Sequence, residues 1–333
     1  MNIIWSRVIA TSPTDRHRPA VNTYNWGPFD AAVDAVRARG LQVQLTVTTP
    51  APAWATADKK LGVNRPDPKL FAQFAVDTAR HFDGRIRSLS IMNEPNWPTW
   101  IKPKVTCKRK SGKKVCDNRS AKDYRAIYRA SYSAVKQATP NMPVWIGELA
   151  PQYRSTRTAG EAWSPIEYLR EVLCVDDRYK RKSCAGLKTD GVAVHPYYLG
   201  KKPTDKPKRQ DDLAISVLGR LDKALTRFER LGALRPVRGR TLPVYLTEYG
   251  YHSVGKRRTS EANQAKYLKE SVRIARRHPR VRQLLHYQLV DPFGASWQSG
   301  ILRSDGTPKP AVGTLSGMVG SLVPRPVLPL PPL

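Results

Sequence analysis

Two glutamates stand out in this 333-residue chain. Glu94 lies in "SLSIMNEPNWPTW" (Ser88 to Trp100), where an apolar run ends in Asn-Glu-Pro and is followed at once by Trp97 and Trp100. Glu248 lies in "LPVYLTEYGYH", where a second apolar run ends in the acid and passes into turn and aromatic residues. A solvated loop has no need of such rings, and a core does not accept a lone carboxyl. Two carboxyls at the ends of separate strands can divide a task between them. Breaking a glycosidic bond requires that division: one carboxyl protonates the leaving oxygen, while the other attacks, or activates water, on the opposite face of the sugar. The flat, CH-rich faces of sugars also bind aromatic rings, which gives Trp54, Trp97, Trp100 and Trp297, all near strand ends, a use. Taken singly, either glutamate could cap a helix or pair with an arginine, and a lone tryptophan more often packs a core. Their joint occurrence favours a site. A third strand-end acid, Glu148 in "WIGELA", reads more readily as a structural hydrogen-bonding group.

The strands that end in these residues belong to a series: "NIIWSRVI", "LQVQLTVTT", "RSLSIMN", "PVWIGEL", "GVAVHPYY", "LPVYLTEY" and "QLLHYQLV". Between them the spacing turns helical. Phe71, Phe74, Ala75 and Phe82 share one stripe, and Tyr124, Ile127, Tyr128, Tyr132 and Val135 share another, with further helices over 29–39, 166–173, 215–231 and 261–276. Strands too apolar to have a wet face, alternating with helices, predict a parallel sheet covered by helices. A doubly wound sheet and a barrel both satisfy this. No Gly-rich phosphate loop follows a strand, and polar and aromatic groups crowd the C-terminal ends of many different strands, which is barrel behaviour. The expected fold is therefore α/β, a (β/α)8 TIM barrel over residues 1–320, with a proline-rich tail over 321–333. Only seven strands are visible, and the first begins at residue 2. The barrel is expected to lack its first βα unit as the chain is written, the rival being closure by another segment or chain, because an open barrel exposes two strand edges.

"MNEPN" (Met92 to Asn96) together with "YLTEYGY" (Tyr245 to Tyr251) resembles the pattern of the clan A retaining glycoside hydrolases, with the cellulase-like family 5 and the β-xylosidase-like family 39 nearest. In those barrels Asn-Glu-Pro ends the fourth strand and a second glutamate ends the seventh. Here the motifs fall on the third and sixth visible strands, so one restored strand brings them into register. The resemblance runs from Trp5 to Ala311. It implies a glycosidase acting by double displacement on β-linked glycans, with Glu94 as acid/base and Glu248 as nucleophile. It further implies Asn93 on the sugar hydroxyl next to the reacting carbon, His195 and Tyr197 of "HPYY" supporting the substrate or the nucleophile, and Trp297 as a stacking floor. An acid/base of this kind should have a raised pKa, which is expected at Glu94. No cofactor or metal is implied.

The chain carries 57 Lys and Arg against 27 Asp and Glu, a net charge of +30. The excess is uneven: residues 102–122 hold nine basic residues and one acid, and residues 201–209 hold five and one. Both segments follow strands with site residues, so both should rim the barrel mouth. A basic rim concentrates acidic glycans, and it equally suits an enzyme that holds an anionic polymer while cutting a neutral chain. The expected partner is thus a polysaccharide or oligosaccharide, neutral or acidic. The competing reading is a non-catalytic barrel that binds glycans or polyanions; no nucleic-acid motif accompanies the charge. No apolar run reaches the length of a membrane span. The close pairs Cys107/Cys116 and Cys174/Cys184 suit disulfide-closed loops better than a zinc site, with free thiols as the alternative. Disulfides imply an extracellular protein, although the chain as given shows no signal peptide.

Overall fold

The structure, a computed structural model, describes residues 1–18, 23–111, 113–152 and 162–319; the proline-rich tail lies outside them. The strands are β1 Asn2–Ile4, β2 Gln44–Thr48, β3 Ser88–Ile91, β4 Val105–Lys110, β5 Lys113–Asn118, β6 Val144–Leu149, β7 Leu187–Thr189, β8 Gly191–Val194, β9 Leu234–Pro236, β10 Val244–Tyr249 and β11 Val281–His286. The α-helices are α1 Trp5–Val8, α2 Gly27–Arg37, α3 Pro68–His81, α4 Arg119–Ala138, α5 Pro165–Val172, α6 Leu218–Arg230, α7 Glu261–Arg277 and α8 Pro310–Val319.

Seven strands form one parallel sheet in the order β1-β2-β3-β6-β8-β10-β11, so each main strand neighbours the next in the chain. Helical crossovers make that order possible. The sheet curls: the Gln283 amide of β11 donates to Gln44 of β2 across the interior at 3.0 Å. Within it β1 and β11 each pair on one side only, giving the incomplete TIM barrel that the strand count implied.

The predicted helices form for the reasons the spacing gave. Asp67 caps α3 by accepting from the Lys69 and Leu70 amides, Pro68 opens it, and Phe71, Phe74 and Ala75 turn inward. Asn118 caps α4, whose Tyr124, Ile127, Tyr128 and Val135 are fully buried. Three details differ from the sequence reading. The first strand stops at Ile4, and Trp5 begins the short α1, its ring stacked on Phe74 at 5.2 Å and edge-on to Phe71 at 5.5 Å. Trp5 is therefore core rather than part of the functional ring, and losing such a buried aromatic costs about 3–5 kcal/mol. The basic stretch 102–122 is not a plain loop: β4 and β5 form an antiparallel hairpin within it. The last main strand ends at His286, not Val290.

The hairpin register sets Cys107 opposite Cys116, and Cys107 is disulfide-bonded; the Cys116 side chain lies outside the described residues. Cys174 and Cys184 form a disulfide ahead of β8, at the end of the barrel away from the glutamates. Among the described residues no helix is long and apolar enough to cross a membrane.

Candidate active site

The C-terminal ends of β3, β6, β8 and β10 deliver Glu94, Glu148, His195 and Glu248 to one place. The three glutamates arrive by local departures from regular strand. Register shifts interrupt the pairing of β6 with β8 between Gly147 and Leu149, and of β10 with β11 between Leu246 and Tyr249. Such irregularities re-aim a side chain that a regular pleat would send elsewhere. Glycine is required at the first of them: Gly147 has φ +112°, and a Cβ there would lie 2.1 Å from the Ala193 carbonyl oxygen.

Beyond β3 the backbone of Met92 (φ +72°) and Glu94 (φ +37°) is left-handed, a conformation costing a side-chain-bearing residue on the order of 1–3 kcal/mol. The surroundings hold it there. The Glu94 amide donates to the Glu148 carbonyl at 2.8 Å. The buried Asn96 side chain accepts from the Ala150 amide at 2.8 Å and donates to the carbonyls of Ala150 and Trp163. Lys104, almost fully buried, donates to the Pro95 carbonyl at 2.6 Å. Burial depresses the Lys104 ammonium well below its usual range, against the pull of the Glu94 charge. The turn that carries Glu94 is thus fixed by bonds from three other segments of chain.

His195 is the hub. Its ring is fully buried, with Nδ1 3.0 Å from Glu94 Oε1 and 3.6 Å from Glu248 Oε2, and Nε2 3.9 Å from Glu148 Oε2. The two candidate catalytic carboxyls share one nitrogen, so those oxygens lie no further apart than the sum of the two distances. Both glutamates leave 20% of the side chain exposed, facing the cavity, whereas Glu148 leaves 3%. Glu148 instead accepts from Gln44 at 2.7 Å and Thr46 at 2.9 Å, the structural role the sequence favoured. Tyr197 donates to Glu248 Oε2 at 3.2 Å. Burial and the Glu248 charge push the Tyr197 phenol well above its ordinary range, so it stays a donor.

Burial alone would make His195 less basic, but Glu248, Glu94 and Glu148 outweigh it and raise its pKa to about 9. Burial raises Glu248 to about 7, with His195 opposing and the charges of Glu94 and Glu148 adding to the rise. The structure shows a rise on Glu248, a carboxyl for which the sequence reading held no such expectation. The shared proton belongs to the cluster rather than to one member. Both shifts are upward, so both groups contribute stability that is present below their unfolded pKa values and lost as pH rises through about 7 and about 9. A Glu248→Gln protein should therefore be more stable than the parent at pH 8 by on the order of 1–3 kcal/mol, with the gap closing towards pH 4.5. Melting temperature against pH checks this; a variant less stable than the parent at pH 8 contradicts it.

Glu94, Glu248 and Tyr197 line a cavity of about 440 Å³, a size typical of small-molecule sites, with His195 and Glu148 buried behind them. Asn93, Trp97, Tyr197 and Trp297 line it with the two glutamates, and so does Trp100. Asn93 is buried, and its side-chain oxygen has no hydrogen-bond partner among the described residues, leaving an acceptor for a ligand hydroxyl. Trp297 stands edge-on to Tyr197 at 5.6 Å, with its indole N–H donating to Ser299. Trp54 is not brought to this cavity: it packs edge-on to Trp5 at 5.4 Å and lines a separate groove with Arg65 and Asp67. Among the lining residues that the sequence did not single out are Tyr287 and Arg257. Tyr287 directly follows β11, a position concealed by reading that strand four residues too long. Arg257 lies in "GKRRTS", where nothing in the sequence shows that the loop reaches the mouth. Among the described residues no group of three or more His, Cys, Asp or Glu is arranged to hold a metal ion.

No protein-family model matches the chain, and no curated protein matches it by sequence. Solved structures do match in fold. A family 39 glycoside hydrolase from the gut symbiont Bacteroides cellulosilyticus WH2 superposes with a TM-score of 0.62 at 19% identity, over 93% of this chain and 55% of that one. A monomeric β-xylosidase from Caulobacter crescentus CB15 gives 0.53 at 18% identity, over 89% and 57%. A β-glucosidase, 1317, in its apo form gives 0.57 at 17% identity, over 97% and 84%. The chain spans little more than half the length of the family 39 protein and the β-xylosidase. The fold is that of glycosidase barrels.

Proposed function

We propose that the chain hydrolyses O-glycosidic bonds of β-linked glycans with retention, using Glu94 as acid/base and Glu248 as nucleophile. The observation that carries this reading is the sharing of one buried imidazole nitrogen by two cavity-facing glutamates from the ends of β3 and β10. Retaining enzymes hold their carboxyls about 5–5.5 Å apart and inverting ones about 6.5–9.5 Å. Retention is proposed on the resemblance of MNEPN and YLTEYGY to the retaining hydrolases, and two oxygens beside one nitrogen are compatible with the closer spacing. Every site residue that the sequence named except Trp54 is in or against this cavity, and the barrel is of the kind that glycosidases use.

In the first step Glu248 attacks the anomeric carbon while the bond to the leaving oxygen breaks. That oxygen keeps the electron pair and takes the proton of Glu94, leaving a glycosyl ester on Glu248. In the second step the Glu94 carboxylate removes a proton from water, the oxygen of which attacks the same carbon and expels Glu248 as carboxylate. His195 and Tyr197 act throughout by holding the carboxyls: the imidazole Nδ1 hydrogen-bonds Glu94 and lies 3.6 Å from Glu248, and the phenol donates to one oxygen of Glu248. Esterification of Glu248 removes a negative charge beside Glu94 and so favours its ionised form in time for its role as base. Asn93 supplies a hydrogen bond to a ring hydroxyl, and Trp97, Trp100 and Trp297 supply apolar faces.

Reducing-end release from a panel of neutral and acidic β-glycans tests the reading. Release that vanishes in a Glu248→Ala protein supports it; binding of glycans without release, unchanged by either glutamate substitution, would instead make the barrel a binder.

A further inference from the structure

The two glutamates make the floor of the cavity acidic, yet its rim carries an arginine. Arg257 lines the same cavity as Glu94 and Glu248 and is exposed, with no ion pair or side-chain hydrogen bond among the described residues. Its loop does not project at random. Gly200, at the head of the basic segment 201–209, has φ +72°, and its Cβ position lies 3.4 Å from the Cα of Arg257. Two basic segments more than fifty residues apart in sequence are thereby packed together at the mouth: Lys201 and Lys202 on one, Lys256 and Arg257 on the other. All four side chains are exposed and none makes an ion pair among the described residues, while the Lys202 backbone amide donates to the Asp205 carboxylate at 2.9 Å.

A chain with net charge +30 has many exposed cations, and most are solvated. This cluster differs in place. An unpaired guanidinium in a cavity wall presents a planar fork of N–H donors, the geometry that matches a carboxylate or sulfate in two parallel hydrogen bonds. Lysines beside it add attraction over roughly one Debye length, about 8 Å at physiological salt, without fixing orientation. Together they offset the repulsion that the floor glutamates exert on an anionic ligand.

We infer that this rim is a subsite for an anionic substituent, carboxylate or sulfate, on the glycan, with Arg257 its specificity-determining residue. The inference rests on the reading of the cavity as a glycan site but not on turnover. It is therefore tested by binding, in the Glu248→Ala protein, which removes hydrolysis. The probes are a β-1,4-linked oligoglucuronate, the carboxyl-reduced form of the same chain, and a sulfated form, each titrated calorimetrically at low and high salt.

An acidic chain is expected to bind at least tenfold more tightly than the reduced chain at low salt. Adding Arg257→Gln should shrink that ratio by about 10-fold, the loss of a charge-assisted hydrogen bond worth about 1.5 kcal/mol. Preference for the sulfated over the glucuronate chain would identify the anion as sulfate. Equal binding of acidic and reduced chains, a ratio unmoved by Arg257→Gln, or no binding by any chain overturns the inference. If the parent protein releases no reducing ends from any glycan of the panel while the acidic preference holds, the proposed hydrolysis fails and the anionic subsite stands.

Discussion

Replacing Glu248 by alanine is expected to lower kcat by about 10⁴-fold or more, because no other group within reach of the anomeric carbon can take over as nucleophile. Glu148 is the nearest further acid, but it is buried and its Oε1 is engaged by Gln44 and Thr46. The variant should still fold, since the removed carboxyl is one whose ionised form burial disfavours. A small external anion such as azide, admitted to the vacated space, should restore turnover of an activated glycoside and give the azide of inverted configuration, because only one displacement then occurs. Steady-state kinetics with and without azide, and NMR of the product, check both parts. Turnover within tenfold of the parent would remove Glu248 from the role assigned to it.

Glu94→Gln should act differently, and the difference separates the two roles. With an alcohol leaving group the loss is expected to be about 10²–10⁴-fold, the usual contribution of a general acid. With a nitrophenolate leaving group, which departs without needing a proton, the first step should be nearly unaffected. The second step then lacks its base, so a burst of one equivalent of phenolate followed by slow release should appear. The glutamine oxygen can still accept from His195, so the turn at Met92–Glu94 should persist. Equal losses on both kinds of substrate, with no burst, would indicate that Glu94 has only a structural part.

Much of the barrel was legible because buried parallel strands leave near-continuous apolar runs, and all seven runs became the main sheet in chain order. Glu94, His195 and Glu248 were legible for a related reason: a polar residue at the end of such a run has little to do in a core. What resisted reading depended on tertiary partners. Trp5 and Trp54 follow strands just as Trp97 does, but Phe71 and Phe74 draw Trp5 inward and Trp54 packs on Trp5. The β4–β5 hairpin was hidden because its like-charged residues show no alternation of apolar and polar positions. The rise on Glu248 was not foreseen, because its depth and its distance from His195 depend on a register shift that carries no sequence signature. Arg257 has no local signal either, since its loop packs against Gly200, more than fifty residues away in the chain.

The most direct test of the central claim is to trap the ester. A 2-deoxy-2-fluoro analogue of whichever β-glycoside the chain cleaves, bearing a good leaving group, slows both steps but the second more, so the glycosyl-enzyme should accumulate. Mass spectrometry of the peptides should then find one fluorosugar attached to Glu248 in the parent protein and none in Glu248→Ala. Time-dependent inactivation with the label on another residue, or turnover of the parent glycoside by a protein that never acquires the label, would contradict the account.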